Sequence, residues 1–151
     1  MFRGQYEHAI DGKGRTSVPS GFRSVLADRE GGERLVLTTG LEACLVVYPM
    51  AEWVAFEERL SRLPRFDRSV QRIRRIYVSS AIELEMDRLG RILIPANLRR
   101  HAGLERQALW AGMGDYVELW SKARFDALRE EVLSDPAQRA EMEERLAELG
   151  L

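Results

Sequence analysis

Two short loops hold the side chains best suited to chemistry. In the first, Asp11, Lys13 and Arg15 fall within five residues and are separated by Gly12 and Gly14. In the second, Asp87, Arg88 and Arg91 surround Leu89 and Gly90. A carboxylate at the start of such a loop can accept turn N–H groups, or pair with the arginine four residues on. An arginine at a strand end can reach guanine O6 and N7 through two parallel hydrogen bonds. A lysine beside it suits a phosphate contact. The same residues also admit an architectural reading in which Asp and Arg only staple a turn. Both readings stand for Asp11 and Asp87. For Arg15 the neighbouring Lys13, one of two lysines in the chain, favours a binding role.

Other chemistries find little support. His8 and His101 are too isolated for a catalytic dyad or a metal site. Cys44 alternates with Val46 and Tyr48, as a packed strand residue does. Gly12-Lys13-Gly14 lacks the Gly-x-x-x-x-Gly-Lys-Ser/Thr spacing of a phosphate-binding loop. The sequence therefore predicts a non-enzyme with no metal site and no cofactor.

The loops belong to an internal repeat. Residues 7–23 read EHAIDGKGRTSVPSGFR and residues 83–99 read ELEMDRLGRILIPANLR. Six of these seventeen positions are identical at an offset of 76: Glu7/Glu83, Asp11/Asp87, Gly14/Gly90, Arg15/Arg91, Pro19/Pro95 and Arg23/Arg99. Downstream, Gly40, Val47, Tyr48, Trp53, Phe56 and Leu60 match Gly112, Leu119, Trp120, Phe125, Leu128 and Val132 at an offset of 72. The first copy thus has a loop four residues longer, around Arg29–Glu33.

The elements that must position the loops follow from periodicity. Tyr6, His8 and Ile10, and again Ile82, Leu84 and Met86, alternate with other residues as one face of a strand does. Gly14 and Gly90 can supply the positive φ of a turn. Residues 15–18 and 91–94 are expected as return strands, ended by Pro19 and Pro95, which can open short helices. Gly103 can cap the second of these helices. A second hairpin in each copy is expected around Gly40-Leu41-Glu42-Ala43 and Gly112-Met113-Gly114-Asp115. Helices begin after Pro49 and Ser121. The predicted organisation is a first repeat over 5–52, a helical Arg-rich linker over 53–80, a second repeat over 81–124, and acidic helices over 125–151. Trp53, Trp110 and Trp120 are expected in the core.

Composition bounds the rest. With 151 residues, 45% hydrophobic and 31% charged, the chain can fold as one ordinary domain or two small ones. A single cysteine allows no intrachain disulfide and fits a reducing compartment. No apolar run reaches membrane-span length, and the N-terminus does not resemble a secretory signal. The net charge of −1 conceals a polarised distribution. Residues 62–75 hold six arginines against one aspartate, whereas residues 126–148 hold eight acidic side chains against three arginines. The arginine run is most simply a solvated helix face.

The doubled Asp-x-x-x-Arg with its trailing proline, Asp11/Arg15/Pro19 and Asp87/Arg91/Pro95, resembles the paired motif of the MraZ family. The opening Met1-Phe2-Arg3-Gly4 and the stretch from Asp11 to Pro19 are similar to that family's N-terminus. The resemblance implies an α+β, mainly β fold: a double-split barrel of two AbrB-like swapped-hairpin repeats with flanking helices. It implies a cytoplasmic, nucleoid-associated transcriptional regulator that forms a ring, an octamer or dodecamer. It implies binding to double-stranded DNA at promoter direct repeats of the division and cell-wall gene cluster. Lys13 and Arg15, with Arg3, take the DNA-contacting roles. Asp11, Gly14, Pro19, Asp87, Gly90, Arg91 and Pro95 are the motif's structural positions. Leu89 stands where the first loop has Lys13, so the second loop is expected to serve folding and assembly more than DNA contact. The alternative is an antitoxin-like protein of the same fold that binds a protein partner.

Overall fold

A computed structural model describes residues 1–29 and 31–151. The longer loop of the first copy includes Glu30, which lies outside the described residues. The chain divides into two compact units, Met1–Ser121 and Lys122–Leu151.

The first unit is α+β. In chain order it contains β1 (Gln5–Ala9), β2 (Arg15–Ser17), α1 (Ser20–Ala27), β3 (Arg34–Thr39), β4 (Leu45–Pro49) and α2 (Met50–Ser61). There follow α3 (Arg68–Ile73), β5 (Ile82–Glu85), β6 (Arg91–Leu93), α4 (Ala96–Ala102), β7 (Gln107–Gly112) and β8 (Val117–Trp120). A π-helical turn over Arg74–Val78 extends α3. The two predicted hairpins form as β3–β4 and β7–β8, with Leu37 opposite Val47 and Trp110 opposite Leu119.

Six strands make one antiparallel sheet in the order β1-β7-β8-β4-β3-β5. Exchanging each strand for its counterpart in the other repeat reads this order backwards, so the sheet is pseudo-twofold. The edges are exchanged: β1 of the first copy lies on β7 of the second, and β5 of the second lies on β3 of the first.

One local expectation is corrected. Residues 15–18 and 91–94 do not return along β1 and β5 as ladders. Beyond an isolated bridge between Ile10 and Thr16, β2 leaves β1 and pairs with β6 in a separate two-stranded ribbon. In the ribbon the three-residue strands β2 and β6 satisfy each other's backbone groups instead. Tyr6 is also more open than the alternation suggested, at 39% exposure, because β1 is an edge.

The core is shared by both copies. Phe2, Phe22, Leu35, Leu37, Leu45, Ile92, Ile94, Trp110 and Leu119 are nearly inaccessible. Burial of each such side chain contributes roughly 1.5–3 kcal/mol. Phe22 meets Phe2, Tyr6 and Trp110 edge-on. All three tryptophans are buried. So is Cys44, whose thiol is pushed up to about 12 by desolvation, with Glu118 and Glu42 adding to it. The carbonyls of Ile76 and Tyr77 in the π-helical turn accept from Thr39 and Thr38 hydroxyls at 2.7 and 2.5 Å. These two threonines are buried by that task.

Turn chemistry matches the sequence with small shifts. Pro19 and Pro95 sit one place before α1 and α4 rather than inside their first turns. Gly103 ends α4 with φ +62°. Asp67 caps α3 through the Ser69 and Val70 N–H groups.

The second unit contains α5 (Lys122–Ser134) and α6 (Pro136–Glu148). Asp135 caps α6 by accepting from the Ala137 N–H at 2.9 Å, and Pro136 occupies the first turn, where its missing N–H is harmless. Phe125, Leu128 and Val132 are half-buried, while Met142 and Leu146 remain nearly half exposed.

Candidate nucleic-acid interface

Each Asp-to-Arg loop is a closed hydrogen-bonded turn. In the first, the Gly14 N–H donates to the Asp11 carbonyl at 3.0 Å, and the Asp11 N–H to the Arg15 carbonyl at 2.9 Å. Gly14 adopts φ +90°, and a β-carbon there would lie 2.7 Å from the Ile94 carbonyl oxygen. Both constraints require glycine. Gly90 adopts φ +73° in the equivalent place.

The aspartates then orient the arginines. Asp11 Oδ1 accepts from the Lys13 and Arg15 N–H groups at 3.0 and 2.9 Å, and Oδ2 accepts from Arg15 Nε at 2.6 Å. Asp87 repeats this with the Leu89 and Arg91 N–H groups, both at 2.9 Å, and with Arg91 Nε at 2.8 Å. The Arg15 N–H is the main reason that the Asp11 carboxyl falls to about 2 against the cost of desolvation; the Arg15 guanidinium and the Lys13 N–H add to it. Asp87 is lowered for the same reasons, led by the Arg91 N–H. Both carboxylates are therefore ionised near neutral pH. The stapling role is thus present, and it also has a consequence for recognition. Because Nε carries the bond to Asp, both η nitrogens of Arg15 and Arg91 make no hydrogen bond among the described residues.

The ribbon decides where those arginines point. Its register sets Arg15 opposite Leu93, Thr16 opposite Ile92 and Ser17 opposite Arg91. Alternation puts Thr16 and Ile92 on the inner face, each 1% exposed. Arg15, Ser17, Arg91 and Leu93 share the outer face, where Leu93 is 54% exposed. Two residues of rise and one strand spacing separate the arginine Cα atoms by roughly 8 Å. Lys13 is exposed at the tip of the first loop. Leu89, its counterpart, is 67% exposed and adds no charge.

Of the sequence candidates, the structure brings together Lys13, Arg15 and Arg91. Arg3 is exposed but stands apart from them. Its flanking residues bond to the β7–β8 turn, Phe2 to Gly114 and Gly4 to Gly112. Strand β1 and the loop separate it from Lys13, and five strand residues alone span roughly 17 Å. His8 joins β1 to the ribbon through Nδ1 on the Ser17 carbonyl at 2.6 Å, which is an architectural role.

Two further residues stand at the loops without having been assigned a role from sequence. Arg99 of α4 packs its guanidinium on Gly14, with Cζ and Nε 3.0 Å from the position of a β-carbon. Arg23 of α1 packs on Gly90 and directs Nη1 toward the Leu89 carbonyl at 3.4 Å. Each copy thus supplies an arginine to the other copy's loop. Their recurrence at the end of the motif was the available signal.

The fold and the site define an α+β protein that presents aspartate-held arginines on the outer face of a two-stranded ribbon shared by two repeats. The family model described as "MraZ protein, putative antitoxin-like" matches residues 1–76 and 78–147. The chain is 41% identical to the transcriptional regulator MraZ of Alkaliphilus oremlandii over all 151 residues, covering 100% of both chains. It is 45% identical over 127 residues to that of Lachnoclostridium phytofermentans, covering 84% of this chain and 86% of the relative. The corresponding figures for Desulfitobacterium hafniense are 47% over 123 residues, with 82% of each chain covered. The chain belongs to the MraZ family, one of transcriptional regulators rather than enzymes. Among the described residues no helix is long and apolar enough to cross a membrane.

Proposed function

We propose that the chain is a sequence-specific DNA-binding transcriptional regulator that reads promoter DNA with the outer face of the β2–β6 ribbon. The observation that carries this reading is the placement of Arg15 and Arg91 on one exposed face, each braced by its own aspartate. A two-stranded ribbon fits the major groove, where an arginine with free η nitrogens can meet guanine. Fixing the guanidinium beforehand reduces the entropy lost on binding. Lys13 supplies a phosphate contact beside Arg15. The asymmetry between the loops then lies in Lys13 against Leu89, since the Asp–Arg geometry is common to both.

In this reading the sheet and ribbon together form a double-split barrel. Protomers assemble as a ring, an octamer or dodecamer, and adjacent copies engage direct repeats upstream of the division and cell-wall gene cluster. The protein acts in the cytoplasm, associated with the nucleoid. The family description also contains the word antitoxin-like. Capture of genomic fragments separates the two functions. Enrichment of promoter fragments carrying direct repeats is expected. Unspecific fragments together with a copurifying small basic nuclease would support the antitoxin-like function instead.

A further inference from the structure

We propose that Arg99 and Arg23 are phosphate-contacting residues, so that each DNA-binding loop is completed by an arginine from the opposite repeat. This inference rests on the ribbon being the DNA-reading face.

The loop arginines and the borrowed arginines differ in their partners. Arg15 and Arg91 are bonded to Asp11 and Asp87. The Arg99 guanidinium makes no ion pair or hydrogen bond among the described residues, and its Nε is buried without a partner. Among the described residues the Arg23 guanidinium has only the long contact to the Leu89 carbonyl, and no carboxylate. Removing a guanidinium from water without an anion is costly, and a cation held that way gains most when an anion arrives. Neither arginine is held in place by the core: Arg99 and Arg23 are half-buried, and the neighbouring Leu98 and Phe22 fill the interior. The position is instead defined by the glycines. Gly14 and Gly90 leave open the space that a β-carbon would take from these side chains.

The arrangement repeats at both ends of the ribbon, Arg99 on the first loop and Arg23 on the second. Two independent occurrences of an unpaired arginine against a candidate binding loop point to one ligand chemistry, the phosphodiester. Each loop then offers one arginine aimed by a carboxylate at bases and one unpaired arginine for the backbone. The first loop adds Lys13.

The test measures affinity for the captured promoter duplex over a range of salt, using the full chain and the variants Arg99→Gln, Arg23→Gln and Arg99→Lys, with thermal melting as a control. Loss of one phosphate contact flattens the slope of log K against log salt by about 0.9 for each engaged protomer. Arg99→Gln is expected to show that loss with melting unchanged, and Arg99→Lys to keep the wild-type slope. An unchanged slope in Arg99→Gln, whether or not melting falls, makes Arg99 a structural brace and overturns the proposal. If Arg99→Gln does not fold, Arg23→Gln decides by the same slope criterion. Arg15→Ala separates the two levels: normal binding by that variant removes the ribbon reading itself, whereas lost binding with a normal Arg99→Gln slope removes only this inference.

Discussion

Arg15→Ala should all but abolish operator binding while leaving the protein folded. A bidentate arginine–guanine contact is worth ~1–3 kcal/mol. In the proposed assembly two adjacent protomers lose it together, so the deficit reaches ~2–6 kcal/mol, and every 1.4 kcal/mol is tenfold in affinity. Affinity should therefore fall at least about 30-fold. Stability should barely move, because the Asp11–Arg15 pair is more than a third exposed on the carboxylate side and solvent screens exposed pairs. The Asp11 carboxylate also keeps its bonds from the Lys13 and residue-15 N–H groups. Titration of a labelled duplex with the purified variant checks this. Near-wild-type affinity of a folded Arg15→Ala protein would sink the assignment of Arg15 as the principal reader.

The second large effect concerns operator spacing. One ribbon face is short, with its arginines roughly 8 Å apart, so it covers only two or three base steps. A lone protomer of net charge −1 should bind weakly. In the proposed assembly, affinity comes from adjacent protomers acting at once, at high local concentration. In the proposed ring, neighbours present the ribbon in the same sense, which calls for direct repeats rather than one palindrome. Each ribbon must meet the same side of the duplex, so the repeats should recur about every 10–10.5 base pairs. Such a ring is curved against a straight duplex, and its complex would bend the DNA or distort the ring. Inserting about five base pairs between boxes turns the second to the opposite side, whereas about ten restores it. The five-pair insertion should cost far more affinity than the ten-pair insertion. Equal affinity for both would remove cooperative reading by adjacent protomers.

The parts of the fold that local pattern controls were legible in the sequence. Alternation marked β1 and β5, and the turns at Gly40 and Gly112 marked the hairpins β3–β4 and β7–β8. The Asp-x-x-Gly spacing identified the two loops, because only glycine accepts φ +90° at position 14. What local pattern could not supply was the choice of partner. Residues 15–17 read equally well as a strand returning along β1 or as one pairing with residues 91–93, since backbone hydrogen bonds carry no sequence label. Only the tertiary pairing of β2 with β6 resolves it. For the same reason the common face of Arg15 and Arg91 was invisible, as it depends on the register of that ribbon. Arg23 and Arg99 were visible as repeated residues, but their position on the opposite loops follows from the exchange. Arg3 had only its place in the opening tetrapeptide, and the structure ties that segment to the far end of β1.

The central claim is that the outer face of the β2–β6 ribbon meets DNA, and a placed crosslinker tests it most directly. Ser17 lies on that face opposite Arg91, so Ser17→Cys can carry a photoreactive group there. The native Cys44 does not interfere, because it is 1% exposed and desolvation pushes its thiol up to about 12. Glu57→Cys, exposed on α2, is the control position. Irradiation with the captured promoter duplex should give efficient crosslinking from position 17, concentrated at the repeated boxes, and little from position 57. Crosslinks from position 57 with none from position 17, in a protein that binds the duplex normally, would place the DNA on another surface and contradict the account.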